Sequence, residues 1–165
     1  MLYNIKRLIS KKQKLGLLFP YLNARPFYPL FLLVNITLSC NRKCSWCYET
    51  HDEFYGSLTV HMPVDMFKKI LCSFKYFKPH IHLYGGEPLY HPRFPIFLEY
   101  CKIHGYKPTL TTNGDYLDKY SKVIMQSSVS QLNISLNGIM DRNGNFNTKL
   151  QQIIRDFINL KRGKK

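Results

Sequence analysis

Acidic residues are scarce in this chain. Ten Asp and Glu stand against 24 Lys and Arg over 165 residues, a formal net charge of +14. An excess of that size favours an acidic partner such as RNA, an anionic surface or an acidic peptide. The basic residues are spread along the chain, however, with local clusters only at the ends (Lys6-Arg7, Lys11-Lys12, Lys161-Arg162 and Lys164-Lys165), as on an ordinary solvated surface. Long apolar runs are also missing. The longest, Pro29 to Val34, is far too short to span a bilayer. The start, Met1 to Gly16, is broken by Lys and Arg and has no apolar core of a secretory signal. The five cysteines are an odd number, and three of them fall within eight residues, unlike the even, dispersed set of a secreted disulfide scaffold. These absences point to a cytoplasmic protein with reduced thiols and no membrane association. No internal repeat or low-complexity tract appears.

What is present is enough for one compact domain, since 45% of the residues are hydrophobic. Residues 1–28 read as a basic lead-in punctuated at its end by Pro20, Pro26 and Pro29, and residues 29–165 as the folded core. Within that core, strands are expected at Phe31–Ser39, His80–Tyr84, Lys107–Thr112 and Val129–Leu136. Helices are expected at Pro63–Phe77, Phe94–His104, Tyr116–Gln126 and Thr148–Leu160. The first helix would bury Met66, Phe67, Ile70, Leu71 and Phe74. Strands alternating with helices of this length imply βαβ units and a parallel sheet. The strands themselves alternate. Asn35, Thr37 and Ser39 share a face, as do Thr109, Thr111 and Asn113, and Asn133, Ser135 and Asn137. A parallel strand buried on both faces reads as a continuous apolar run, so here one face of the sheet is polar. The fold class is therefore α/β, an open or partial parallel barrel of about four βα units with a concave polar interior.

The segment Cys40-Asn-Arg-Lys-Cys44-Ser-Trp46-Cys47-Tyr48 begins where the first strand ends. Loops at the carboxyl ends of parallel strands are where such sheets place their chemistry. Three thiolates at this spacing can face one point, and soft thiolates select zinc or an iron–sulfur cluster. A zinc site needs a fourth ligand, which His51 could supply. Three cysteines alone would leave one iron of a [4Fe–4S] cluster open. Cys72 and Cys101 fall in predicted helices and read as ordinary buried thiols.

Cys40-x3-Cys44-x2-Cys47 with Trp46 before its last cysteine resembles the signature of the radical SAM superfamily. Three more motifs follow in order at the ends of successive strands: Gly85-Gly86-Glu87-Pro88, Thr111-Thr112-Asn113-Gly114 and Ser135-Leu136-Asn137-Gly138. The resemblance implies a [4Fe–4S] cluster on Cys40, Cys44 and Cys47 whose open iron chelates S-adenosylmethionine (SAM), and reductive cleavage of SAM to a 5′-deoxyadenosyl radical that abstracts hydrogen. It assigns Gly85, Gly86, Glu87 and Pro88 to the amino group of SAM. Trp46 and Tyr48 would flank the adenine, and Ser135 and Asn137 would contact the ribose and carboxylate, with Asn137 standing where many relatives have Asp. Asn113 is the weaker candidate for contact with SAM, and its segment mainly confirms the register. His82, Tyr84 and His91 are weak substrate-side candidates.

The wording of the motifs is similar to peptide- and protein-maturing members, which implies a peptide or protein substrate and an electron donor such as a flavodoxin or ferredoxin. The resemblance runs from about Leu30 to Gly138, and the expected fifth strand does not follow, so a minimal or truncated member, or a fragment of a longer reading frame, is expected. Alternatives are a relative of the glycyl-radical-enzyme activases, an RNA-modifying member, a cluster-binding module without turnover, and a zinc-bearing RNA-binding domain suggested by the charge.

Overall fold

A computed structural model describes residues 29–44, 47, 60–136 and 147–163. The lead-in 1–28, Trp46, Tyr48, His51 and Asn137 lie outside the described residues. The elements alternate as the periodicity requires: β1 (Phe31–Thr37), α1 (Val64–Ser73), β2 (His80–Gly85), α2 (Phe94–Ile103), β3 (Thr109–Thr112), α3 (Leu117–Gln126), β4 (Gln131–Ile134) and α4 (Thr148–Arg162). A short 3-10 turn, Pro88–Tyr90, sits between β2 and α2.

The strands form one parallel sheet in the order β1-β2-β3-β4. Sequential parallel strands whose crossovers share one hand place every helix on the same side, so the sheet curls toward a barrel wall. One side chain in two from each strand faces the helices: Val34 and Ile36, Ile81 and Leu83, Leu110, then Leu132 and Ile134. They meet Phe67 and Leu71 of α1, Phe94, Phe97, Leu98 and Cys101 of α2, Tyr120 and Ile124 of α3, and Phe157 of α4. Phe67 and Phe97 pack edge to face at 4.7 Å, a favoured aromatic geometry.

Several elements are shorter than expected, for local reasons. β3 starts at Thr109, because Pro108 has no N–H to give the ladder. α1 ends at Ser73 and the chain continues through tight turns to Lys78, which has φ +41° and precedes Pro79; a residue before proline is driven out of the helical region. α4 runs two residues further than expected, capped by Asn147, whose side chain accepts from the Leu150 N–H at 3.1 Å. Met66 and Cys72 are exposed rather than buried. At about 100° per residue they fall on the flanks of the stripe centred on Phe67 and Leu71. Cys101 is buried as expected. Among the described residues no helix is long and apolar enough to cross a membrane.

Candidate active site

The carboxyl ends of the strands converge on one cavity of about 380 Å³. Its lining includes Cys40, Cys44 and Cys47, with Gly85, Gly86, Glu87, Asn113 and Ser135 from the later motifs. Residues from four loops, far apart in sequence, are therefore brought together. Pro88 is buried in the 3-10 turn behind the cavity and is not among its lining residues.

The first motif after the cysteines works through its backbone. The Gly86 N–H donates to the Thr37 carbonyl at 2.8 Å and the Glu87 N–H to the Ser39 carbonyl at 2.9 Å. These bonds continue the β1–β2 pairing past the end of the strands, up to the residue before Cys40. A Cβ on Gly86 would stand 2.5 Å from the Ser39 carbonyl oxygen, and one on Gly85, at φ +142°, 2.3 Å from that of Thr37. Only glycine admits that approach.

Glu87 has no exposed surface. Its carboxylate accepts from the Leu89 N–H (3.0 Å), the Thr112 hydroxyl (2.6 Å) and the Asn113 N–H (2.6 Å). Burial pushes its pKa up, although all three hydrogen bonds oppose that rise. A carboxylate has about four acceptor positions, and three of Glu87's are already taken, so its main visible work is to tie the loop after β2 to the end of β3.

Asn113 does more than mark register. Its side-chain amide donates to Asn41 Oδ1 at 2.9 Å and approaches Cys40 Sγ at 3.9 Å, and its Oδ1 accepts from the Asp115 N–H at 3.0 Å. Asp115 in turn receives Arg42 through both carboxylate oxygens, with Arg42 Nε at 2.7 Å, and also Asn41 Nδ2 at 2.7 Å. Burial alone would raise the Asp115 carboxyl, but Arg42 and Asn41 outweigh it and hold it below the usual carboxylate range. Sequence reasoning missed Arg42, Asn41 and Asp115. Arg42 lies inside the cysteine motif, but nothing in the sequence pairs it with a residue 73 positions away.

A family model described as the Radical SAM superfamily matches residues 34–164. This chain belongs to the Radical SAM superfamily. A probable GTP 3′,8-cyclase of Methanococcus maripaludis is 35% identical over 106 residues, which are 62% of this chain and 35% of the cyclase. SuiB of Streptococcus suis bound to S-adenosylmethionine shares the fold with TM-score 0.64 at 19% identity, over 79% of this chain and 31% of SuiB. SuiB bound to its precursor peptide SuiA superposes with TM-score 0.67 at 18% identity, over 88% of this chain and 34% of SuiB. The chain thus spans about a third of the length of these relatives.

The superfamily's cofactors are a [4Fe–4S] cluster and S-adenosylmethionine, and the donor set of this Radical SAM chain suits them. Three thiols line one cavity, and thiolates are the ligands that iron–sulfur clusters take. The Cys47 N–H donates to the Cys44 carbonyl at 3.1 Å, a tight turn between two of these thiols.

Away from the cysteines, the concave face is a hydrogen-bonded ladder. His80 Nε2 meets Thr109 Oγ1 at 2.6 Å, and His82 Nε2 meets Thr111 Oγ1 at 2.9 Å. Asn133 Nδ2 donates to Thr111 Oγ1 at 3.4 Å, and Gln131 Nε2 to Asn133 Oδ1 at 2.7 Å. Burial pushes the pKa of both histidines down, so they are neutral near pH 7. His82 and Tyr84 line the cavity. His91 is not a substrate-side residue: it is buried, with Nε2 on the Met62 carbonyl at 3.1 Å and Nδ1 accepting from the Arg93 N–H at 3.0 Å.

Proposed function

We propose that this chain carries the radical-generating site of a radical SAM enzyme, with Cys40, Cys44 and Cys47 as the cluster ligands. The observation that carries this reading is the opening of all three cysteines onto one cavity with Gly85, Gly86, Glu87, Asn113 and Ser135. A [4Fe–4S] cluster held there supplies one electron to the sulfonium of SAM, releasing methionine and a 5′-deoxyadenosyl radical that abstracts hydrogen from a substrate. Gly85 and Gly86 present backbone to the amino group of SAM, the buried Glu87 holds their loop against the end of β3, and the Ser135 side chain offers a hydroxyl to the ribose or carboxylate of SAM. Trp46, Tyr48 and Asn137 complete the proposed SAM contacts, and a flavodoxin or ferredoxin is the proposed electron donor in a cytoplasmic setting.

The proposed substrate is a peptide or protein. The strand residues on the concave face, Phe31, Leu33, Asn35, Thr37, His80, His82, Tyr84, Thr109, Thr111, Gln131, Asn133 and Ser135, bear no fixed charge. Apart from the apolar Phe31 and Leu33 these are neutral donors and acceptors, and Arg42, which also lines the cavity, is paired with Asp115, so the wall suits amide groups better than a triphosphate. The likeness to SuiB, solved with a precursor peptide, supports the same reading. The second reading, a nucleotide substrate, is favoured by the cyclase relative.

Anaerobic reconstitution with iron and sulfide, followed by reduction with dithionite in the presence of SAM, tests the central claim. The expected result is about four iron per chain and accumulation of 5′-deoxyadenosine. A fully loaded protein that releases none is not a radical generator. Adding GTP or a peptide library and following substrate-dependent 5′-deoxyadenosine then separates the two substrates.

A further inference from the structure

The network around Cys40 has no role in the reading above, although it rests on that reading for the identity of the bound group. Cys40 Sγ is approached by two N–H donors, the Arg42 backbone at 3.4 Å and the Asn113 amide at 3.9 Å. Neither donor stands alone. The Arg42 guanidinium grips both oxygens of Asp115, Asn41 holds Asp115 Oδ2 at 2.7 Å and accepts from Asn113 at 2.9 Å, and the Asp115 N–H returns to Asn113 Oδ1 at 3.0 Å. The network closes on itself. It links the loop after β1 to the loop after β3, two strands that are not neighbours in the sheet.

We propose that Asp115 is a positioning residue that, through Arg42 and Asn113, aims two N–H donors at the Cys40 thiolate and so raises the reduction potential of the group bound there. Hydrogen bonds to a ligating sulfur stabilise the extra negative charge of the reduced state, so they move the potential upward, and outer partners of metal ligands set such effects. A planar guanidinium on a carboxylate fixes both distance and angle, which a lysine would not do. The pair is about four-fifths covered on the Arg42 side and three-quarters on the Asp115 side, with side-chain exposures of 15% and 28%. Solvent therefore competes poorly for either partner.

The test is an EPR-monitored redox titration of the reconstituted chain, comparing wild type with Asp115→Asn, Arg42→Lys and the double variant. Each single variant is expected to load iron like wild type, to keep its far-UV circular dichroism and to shift the cluster to a more negative potential. A threefold drop in the reduced-to-oxidised ratio at fixed potential reads as about 28 mV, from 59 mV per tenfold for one electron. Because the Arg42 guanidinium acts only through the Asp115 carboxylate, which also holds Asn41, the double variant should shift no further than Asp115→Asn alone. Unchanged potentials and EPR signals in both single variants overturn the inference, as do shifts that simply add in the double variant. Should Asp115→Asn fold poorly, Arg42→Lys keeps the charge and carries the test by itself. A wild-type chain that binds no iron instead overturns the cluster reading, and the two failures are thereby told apart.

Discussion

Replacing Gly86 by alanine tests whether the glycine pair after β2 holds the site together before any cofactor arrives. The new Cβ would lie 2.5 Å from the Ser39 carbonyl oxygen, 2.7 Å from its carbon and 2.9 Å from the Leu38 carbonyl oxygen. All three atoms are backbone, so no side chain can swing aside. Forcing extra volume into a packed site costs about 1–3 kcal/mol. The separation needed to relieve it also weakens the Gly86–Thr37 and Glu87–Ser39 hydrogen bonds, each worth about 0.5–1.5 kcal/mol. Partial loss of both adds up to about 2–4 kcal/mol, a large share of the roughly 5–15 kcal/mol that holds a domain together. The assay is urea unfolding of the metal-free chain followed by circular dichroism. With a slope of about 2 kcal/mol per molar, the midpoint should fall by about 1–2 M. A midpoint within about 0.2 M of wild type would refute the packing argument and leave the proposed contact with SAM as the sole role for this glycine.

Other outcomes follow from the same structure. Phe97→Ala removes a ring with no exposed surface that packs on Phe67 and His91, each at 4.7 Å, and should cost about 3–5 kcal/mol in the same unfolding experiment. Tyr106→Phe deletes the hydroxyl that donates to the Leu71 carbonyl at 2.7 Å; a loss of about 1–2 kcal/mol is expected, and an unchanged midpoint would show that the carbonyl finds another donor. Thiol labelling of the native chain should modify exposed Cys72 quickly and leave Cys101 protected, whose thiol burial pushes up to about 12; equal rates would contradict the placement of α1 and α2. Acid should weaken the fold before its carboxylates titrate. Burial lowers the pKa of His80, His82 and His91 in the folded chain. Their contribution is therefore complete above the unfolded value near 6.5 and falls away as pH drops through the lower folded values. Thermal midpoints measured from pH 7.5 to 5 should decline over that interval, and a flat profile would remove these histidines from the account.

Much of the site was legible because its signals are local. Three cysteines within eight residues need no tertiary knowledge, and neither does a glycine pair at the end of a predicted strand. The alternation in β1, β3 and β4 correctly assigned one polar and one apolar face, since a strand's side chains alternate whatever it packs against. The errors arose where a neighbour decides. Met66 and Cys72 have apolar character but sit at the edge of the helical stripe, and the width of that stripe is set by how closely α1 approaches the sheet. His91 looked available at a loop near the site, yet the backbone around Met62 and Arg93 consumes both of its nitrogens.

By itself, then, the sequence determined the class of fold, the polar face of the sheet and the three thiols proposed to anchor its chemistry. These depend on periodicity and on spacing of a few residues, which are properties of the chain alone. Tertiary structure decided what the motif residues do. It made Glu87, expected at the amino group of SAM, a buried tie with three donors. It also joined Arg42 to Asp115 across 73 residues. Such contacts depend on which loops the sheet order brings to the same rim, and no local pattern encodes that distance.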